Sequence, residues 1–230
     1  MLTSKFSQNL SKTAKKTDNY LKKIFNKKNS YLLIKPMKYG LFSGGKRFRS
    51  AIVVSTGKIF GINNKILIII GAAIECIHSY SLMHDDLPSM DNDSLRRGKL
   101  STHKKFNEFT AILAGNSLLT SAFDILSSRH LNLSSKIKNE LIQSISMCCG
   151  YEGLASGQYF DLTYEHKKIS PKKIINMQED KTGKLFGFCC ESIGIIKNLS
   201  IKEKKFLKDL GIQIGLLFQI VDDLIDYCGD

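Results

Sequence analysis

Thirteen aspartates occur in this chain, and eight of them fall in two nine-residue windows: Asp85, Asp86, Asp91 and Asp93, then Asp222, Asp223, Asp226 and Asp230. Each window lies at or near the end of a strongly apolar segment. Several like charges beside a buried core repel one another and lose hydration, so their pKa values rise or the site unfolds unless cations intervene. Oxygen-only ligands favour a hard cation such as magnesium, which takes one or two carboxylates and fills its shell with phosphate and water. Asp222 and Asp226 are four apart, on one helical face, and Asp91 follows Pro88 by three, within reach of Asp85 and Asp86 across a short bend. Carboxylates at solvated helix ends are the plainer reading of either window alone. Two such windows in so basic a chain argue against it.

Complementary cations are present. Gly44-Gly45-Lys46-Arg47-Phe48-Arg49 is a glycine-hinged basic turn opening a helix, able to offer N–H groups and two or three cations to a phosphate. It is not a Walker loop, because G-x-x-x-x-G-K-[ST] is absent. Arg96-Arg97-Gly98 follows the first aspartate window directly, so four of the five arginines sit in two short motifs. Two acidic and two basic clusters suggest one diphosphate held through metal ions and another held by Lys and Arg.

These groups need rigid elements to carry them. Apolar residues recur mostly at spacings of three and four and only three prolines occur, which predicts an all-α fold. Helices are expected over roughly 4–27, 46–60, 65–86, 105–129, 134–160, 171–196 and 201–227. Ser170-Pro171 reads as an N-cap followed by proline at the first helical position, and Gly61 and Gly150 as stops or kinks. Ile66–Ile77 and Gly211–Val221 are apolar over most of their circumference and belong at the centre of a bundle. No repeat or linker interrupts the chain, so one domain over 1–230 is expected.

Composition narrows the function classes. The 230 residues are 43% hydrophobic with a formal charge of +13, enough apolar content for an ordinary core. Most of the cations are lysines spread along the chain rather than arginines grouped for bidentate phosphate contacts, and no nucleic-acid motif appears, so no nucleic-acid partner is expected. The six cysteines, Cys76, Cys148, Cys149, Cys189, Cys190 and Cys228, form no C-x-x-C and read as reduced core residues. The N-terminal stretch lacks a secretory apolar run, and Ile66–Ile74 is about half a bilayer span. The expectation is a cytoplasmic protein with no membrane span.

The segments GGKRFR (44–49), ECIHSYSLMHDDLPSMDNDSLRRGKLSTHKKF (75–106), AILAGNSLLTSAF (111–123), GLASGQYFDL (153–162), KTGKLF (181–186) and GLLFQIVDDLIDYCGD (215–230) resemble, in order, those of the trans-prenyl diphosphate synthases. The resemblance implies an all-α isoprenoid-synthase bundle around a deep apolar cavity, usually a homodimer. It implies that Asp85, Asp86 and Asp91 form a first aspartate-rich motif and Asp222, Asp223 and Asp226 a second, together holding about three magnesium ions on an allylic diphosphate. Arg96 would touch that diphosphate, Gly45, Lys46, Arg49, His78 and Arg97 would bind isopentenyl diphosphate, and Lys181, Thr182 and Gln219 would flank the allylic group as it ionises. The implied reaction joins isopentenyl diphosphate to dimethylallyl or geranyl diphosphate through an allylic carbocation, with magnesium neutralising the departing diphosphate.

Tyr80, five residues before Asp85 and followed by Ser81, resembles the aromatic floor that stops growth at fifteen carbons, so farnesyl diphosphate is the implied product and geranylgeranyl diphosphate the alternative. Ser50 stands where the family usually has proline, and Asn92 interrupts its run of aspartates. Family members continue well past the second motif, so the resemblance also implies a chain lacking the family's C-terminal helices, either shortened or catalytically impaired. Three readings compete with it, the first being a catalytically dead partner that only pairs with a complete synthase. In a metal-dependent phosphohydrolase, His78, His84-Asp85 and Asp222 would be ligands, but the basic motifs would be unexplained. In a basic helical nucleic-acid-binding protein, the charge would be the only support.

Overall fold

The computed structural model describes residues 2–26 and 31–228, and it falls into two compact units, Met1–Asn132 and Leu133–Asp230. The first unit contains α1 (Leu2–Asn26), α2 (Ile34–Leu41), α3 (Phe48–Ile59), α4 (Asn64–Asp85), a two-stranded hairpin β1 (Leu95–Arg96) and β2 (Lys99–Leu100), α5 (Thr102–Lys105) and α6 (Glu108–Ser127). The second contains α7 (Ser135–Cys149), α8 (Leu154–Tyr164), α9 (Pro171–Gln178), a π-helical turn (Glu179–Gly183), α10 (Lys184–Ile196) and α11 (Ile201–Cys228).

Helix α4 is the axis of the first unit, touched by α1, α2, α3 and α6. Asn63 starts it, accepting the Lys65 N–H at 2.9 Å, and every residue from Leu67 to Ile77 is buried. Burial of one such Ile or Leu side chain stabilises by about 1.5–3 kcal/mol, so an apolar circumference commits the helix to the interior. Among the described residues α4 and α6 are long and apolar enough to cross a membrane by length and composition, but 78% of the α4 window is buried inside the protein, as in a core helix.

In the second unit α10 and α11 pack face to face. A Cβ on Gly211 would lie 2.4 Å from the Phe186 carbonyl oxygen, and one on Gly215 2.9 Å from Gly183 Cα, so the two backbones approach as only glycine permits. The Ser170-Pro171 start of α9 is observed as read, with Pro171 in the first helical turn. Five of the six cysteines are buried, Cys228 is exposed, and all are free thiols. Burial pushes the Cys148 thiol up to about 12.

Three expectations need correction. The helix read over 134–160 is two helices, broken where a Cβ on Gly153 would lie 2.1 Å from the Cys148 carbonyl oxygen. The helix read over 171–196 contains the π-helical turn. Gly211–Val221 is not central along its whole length: Gly211 and Ile212 are buried, whereas Leu217, Ile220 and Val221 are exposed.

Candidate active site

The first unit places the first aspartate window at the C-terminus of α4. Asp85 is its last residue and Asp86 its C-cap, and both are buried. The chain then folds back, so that the Asp91 N–H donates to the Asp85 carbonyl at 2.9 Å, the bend expected after Pro88. Asn92 takes a left-handed φ of 53°, a conformation asparagine tolerates far better than most residues.

Arg96-Arg97-Gly98 forms the tip of the hairpin. Arg97 and Gly98 have φ of 54° and 74°, the signature of a two-residue I′ turn. A bulky side chain at positive φ stores about 1–3 kcal/mol, which surrounding contacts must hold. The contacts are present: the Arg97 guanidinium donates to the Gly44 carbonyl, and a Cβ on Gly45 would overlap it, 2.5 Å from its nitrogen. Gly45 is therefore the gap that Arg97 fills, and the two basic motifs meet. Arg96 donates through Nε to Asp86 at 2.8 Å, also pairs with it through Nη2, and reaches Asp93 at 2.9 Å. Burial raises the Asp86 carboxyl against the pull of Arg96. For Arg96, burial acts downward, but Asp86 and Asp93 outweigh it and its pKa rises.

His78 sits two turns back along α4. Burial first, and then the charges of Arg49, Arg97, Arg47 and Arg96, hold its imidazole well below the ordinary value. It is a neutral hydrogen-bonding group among four arginines. Lys46 is exposed at the hinge and Arg49 half-buried. A small cleft lined by Tyr39, Gly40, Ser43, Ser79, Asp86 and Arg96 lies along this surface. The structure thus brings Gly45, His78, Asp85, Asp86, Arg96 and Arg97 into one region of the first unit.

Arg47 is committed to a buried network instead. It is 5% exposed, donates to Asp18 at 2.8 Å and to the Leu41 carbonyl, and lies 3.6 Å from Glu75. The Ser50 N–H donates to the other Glu75 oxygen at 3.1 Å, and the Ser50 and Thr17 hydroxyls share a 2.7 Å bond. A proline at this position would have no N–H to give, so Ser50 supplies what this buried network uses.

Tyr80 packs edge-on against His84, with ring centroids 4.9 Å apart, while His84 Nε2 lies 3.1 Å from the Ile112 carbonyl on α6. His84 is thereby committed to the helix packing. The Ser81 hydroxyl donates back to the His78 carbonyl at 3.0 Å.

The second unit carries the other candidates. Lys181 and Thr182 lie in the π-helical turn, a feature frequent at functional sites, which shifts the register of side chains along a helix. Lys181 Nζ pairs with Asp161 of α8, and the Thr182 hydroxyl donates to Gln219 Oε1 at 3.2 Å. Gln219 Nε2 donates to one Asp223 oxygen and Gln178 Nε2 to the other, each at 2.8 Å. Asp222 and Asp223 are exposed on α11, whose helix continues through 226 and so keeps the four-residue spacing. The side chain of Asp226 and all of Asp230 lie outside the described residues. Sequence reasoning passed over Asp161, Gly157 and Gln178. The first two lie in GLASGQYFDL, which was matched without being given a role. Gly157 matters because its Cβ would fall 2.1 Å from the Lys181 nitrogen, so α8 touches the π-helical turn backbone to backbone.

No cluster of three His, Cys, Asp or Glu side chains around one metal point occurs among the described residues. The donor chemistry nevertheless fits magnesium, which needs only one or two carboxylates from the protein when phosphate oxygens complete its shell.

The Polyprenyl synthetase family profile matches residues 30–230. Farnesyl diphosphate synthase from Micrococcus luteus is 44% identical over 191 residues, 83% of this chain and 65% of that protein. Farnesyl diphosphate synthase from Haemophilus influenzae is 40% identical over 233 residues, 98% of this chain and 77% of that protein. The chain thus spans about two thirds to three quarters of these relatives. A geranyltransferase structure from Legionella pneumophila superposes with a TM-score of 0.90 at 35% identity, covering 98% of this chain and 81% of that one.

Proposed function

The chain belongs to the polyprenyl synthetase family, and from that premise we propose that it is a farnesyl diphosphate synthase, joining isopentenyl diphosphate head-to-tail to dimethylallyl or geranyl diphosphate. The observation that carries this reading is the meeting of the two basic motifs around Gly45 and Arg97, with His78 and the first carboxylate window beside them. In the first unit, Lys46, Arg49 and Arg97 bind the diphosphate of isopentenyl diphosphate, and His78 offers it a neutral hydrogen bond. Asp85, Asp86 and Asp91 hold magnesium with the allylic diphosphate, which Arg96 also touches. In the second unit, Asp222, Asp223 and Asp226 hold magnesium, while Lys181, Thr182 and Gln219 flank the allylic group.

Bound magnesium, about three ions, would neutralise the departing diphosphate and lower the barrier to breaking the allylic carbon–oxygen bond. The chain's own contribution is placement. Arg96 is parked beside the first motif by Asp86 and Asp93, and its transfer to an arriving phosphate would free the Asp86 carboxylate for the metal. The apolar body of α4 keeps water away from the cation, which would otherwise be quenched. The double bond of isopentenyl diphosphate attacks the cation, and the proton then lost passes to the released diphosphate, so no strong side-chain base is needed.

Product length is set by the depth of apolar space beneath the first motif, with Tyr80 as its floor. We further propose a homodimer, supported by exposed Phe109, Ile112 and Leu113 on α6, and a cytoplasmic location. Sedimentation of the purified chain tests the dimer. The phosphohydrolase reading loses its support where His84 is turned to the α6 backbone.

The decisive experiment incubates the chain with geranyl diphosphate, radiolabelled isopentenyl diphosphate and magnesium, with and without chelator, and chromatographs the dephosphorylated products. Chelator-sensitive farnesol is expected. Folded protein that forms no prenyl product, even with a relative's C-terminal segment appended, defeats the proposal.

A further inference from the structure

Carboxylates in this protein are engaged in two different ways. Asp86 is held by the Arg96 guanidinium, Asp161 by Lys181 and Asp180 by Lys184 at 2.6 Å, so each sits beside a full positive charge. Asp223 is different. Its two oxygens each accept one side-chain amide N–H, from Gln178 and Gln219, both at 2.8 Å, and among the described residues it forms no ion pair. The amide of Gln219 is oriented in turn, because its oxygen accepts the Thr182 hydroxyl and its nitrogen must then face Asp223. Gln178 ends α9 immediately before the π-helical turn, so the start of that turn and α11 are tied together through Asp223.

We propose that Gln178 is a positioning residue of the second carboxylate motif: with Gln219 it fixes the plane of Asp223 using neutral donors, leaving the full negative charge for a divalent cation. A carboxylate offers about four lone-pair sites, of which the two amides occupy two, one on each oxygen. A lysine or arginine in the same place would orient the group equally well but would cancel its charge and oppose a second cation. The inference rests on the reading of Asp223 as a magnesium-holding residue given above.

The test uses the purified chain, with calorimetry following the magnesium dependence of inorganic diphosphate binding, so no turnover is needed. Gln178→Met keeps the length and removes the donor, whereas Gln178→Lys keeps a donor and adds a charge. The methionine variant should raise the magnesium midpoint by about threefold to tenfold, as loss of one hydrogen bond of ordinary net strength at an exposed site implies. The lysine variant should raise it at least as far while melting at or above the temperature of the methionine variant. A merely structural link gives the reverse order, with lysine restoring both melting temperature and magnesium midpoint, and that result overturns the proposal. So does a methionine variant with an unchanged midpoint, or a wild-type chain that shows no magnesium-dependent diphosphate binding. A wild-type chain that binds magnesium and diphosphate, shows the predicted order and makes no prenyl product counts against the synthase reading alone. Normal product formation with unchanged midpoints in both variants counts against Gln178 alone.

Discussion

Replacing Gly157 by alanine tests whether the π-helical turn is where the chemistry depends on it. The added Cβ would lie 2.1 Å from the Lys181 nitrogen, 2.4 Å from Lys181 Cα and 2.7 Å from the Asp180 carbonyl carbon, all backbone atoms that no rotamer change can move. Relief to ordinary contact requires a shift of roughly 1 Å between α8 and the turn, and overpacking of this kind costs about 1–3 kcal/mol. Alanine returns about 1 kcal/mol through helix propensity, so the net loss of stability should be at most about 2 kcal/mol. Activity should fall much further, because a misplacement of about 1 Å at a reacting group costs on the order of a hundredfold in rate. Gly183→Ala is the internal control: its Cβ meets Ile212 Cγ2 at 3.4 Å, an ordinary contact, and should leave stability within about 1 kcal/mol. Urea unfolding and steady-state kinetics with geranyl and isopentenyl diphosphates give both readouts. Wild-type kcat in Gly157→Ala, or equal losses in the two alanine variants, would refute the argument.

Three other outcomes follow from the described contacts. Tyr80→Ala should lengthen the product beyond fifteen carbons, read by chromatography of the dephosphorylated alcohols, and an unchanged product removes Tyr80 as the floor. Glu75→Gln takes one of two carboxylates from the buried Arg47, which keeps Asp18 at 2.8 Å, and should cost about 1–3 kcal/mol in urea unfolding. His78 has a lowered folded-state pKa, so below its unfolded value of about 6.5 the unfolded chain binds a proton that the folded chain refuses. Stability should therefore fall with decreasing pH, by up to about 1.4 kcal/mol per unit, from about pH 6.5 down to the folded value. His78→Gln should flatten that slope by close to one proton.

The sequence made the chemistry easier to read than its supports. The carboxylate windows, GGKRFR and RRG stand out because charge beside a long apolar run is costly, and the structure does place Asp85 and Asp86 at the end of a buried α4. Helix α2 was missed, since the helices read from the sequence leave the stretch between 27 and 46 empty, although the first turn of a helix tolerates a proline such as Pro36. The π-helical turn has no periodicity of its own to betray it, and Gln178 and Asp161 owe their roles to it and to the close approach at Gly157. Arg47 is the opposite case. It sits inside a motif rich in phosphate-binding residue types, yet its guanidinium is buried against Asp18 and Glu75 from distant parts of the chain.

Helix α4 carries Glu75, anchor of the basic turn, and Asp85, head of the first motif, on one unbroken rod, ten residues and about 15 Å apart. Local opening at the Asp85 end would expose the same buried surface that holds the unit together, so its amides should exchange with solvent only on global unfolding. The second motif lies on exposed turns of α11, where opening exposes far less apolar surface. The two carboxylate motifs therefore differ in their free energy of local opening: one is as stable as the core, and the other belongs to the more labile margin of its unit, where ligand binding contributes proportionately more of the order.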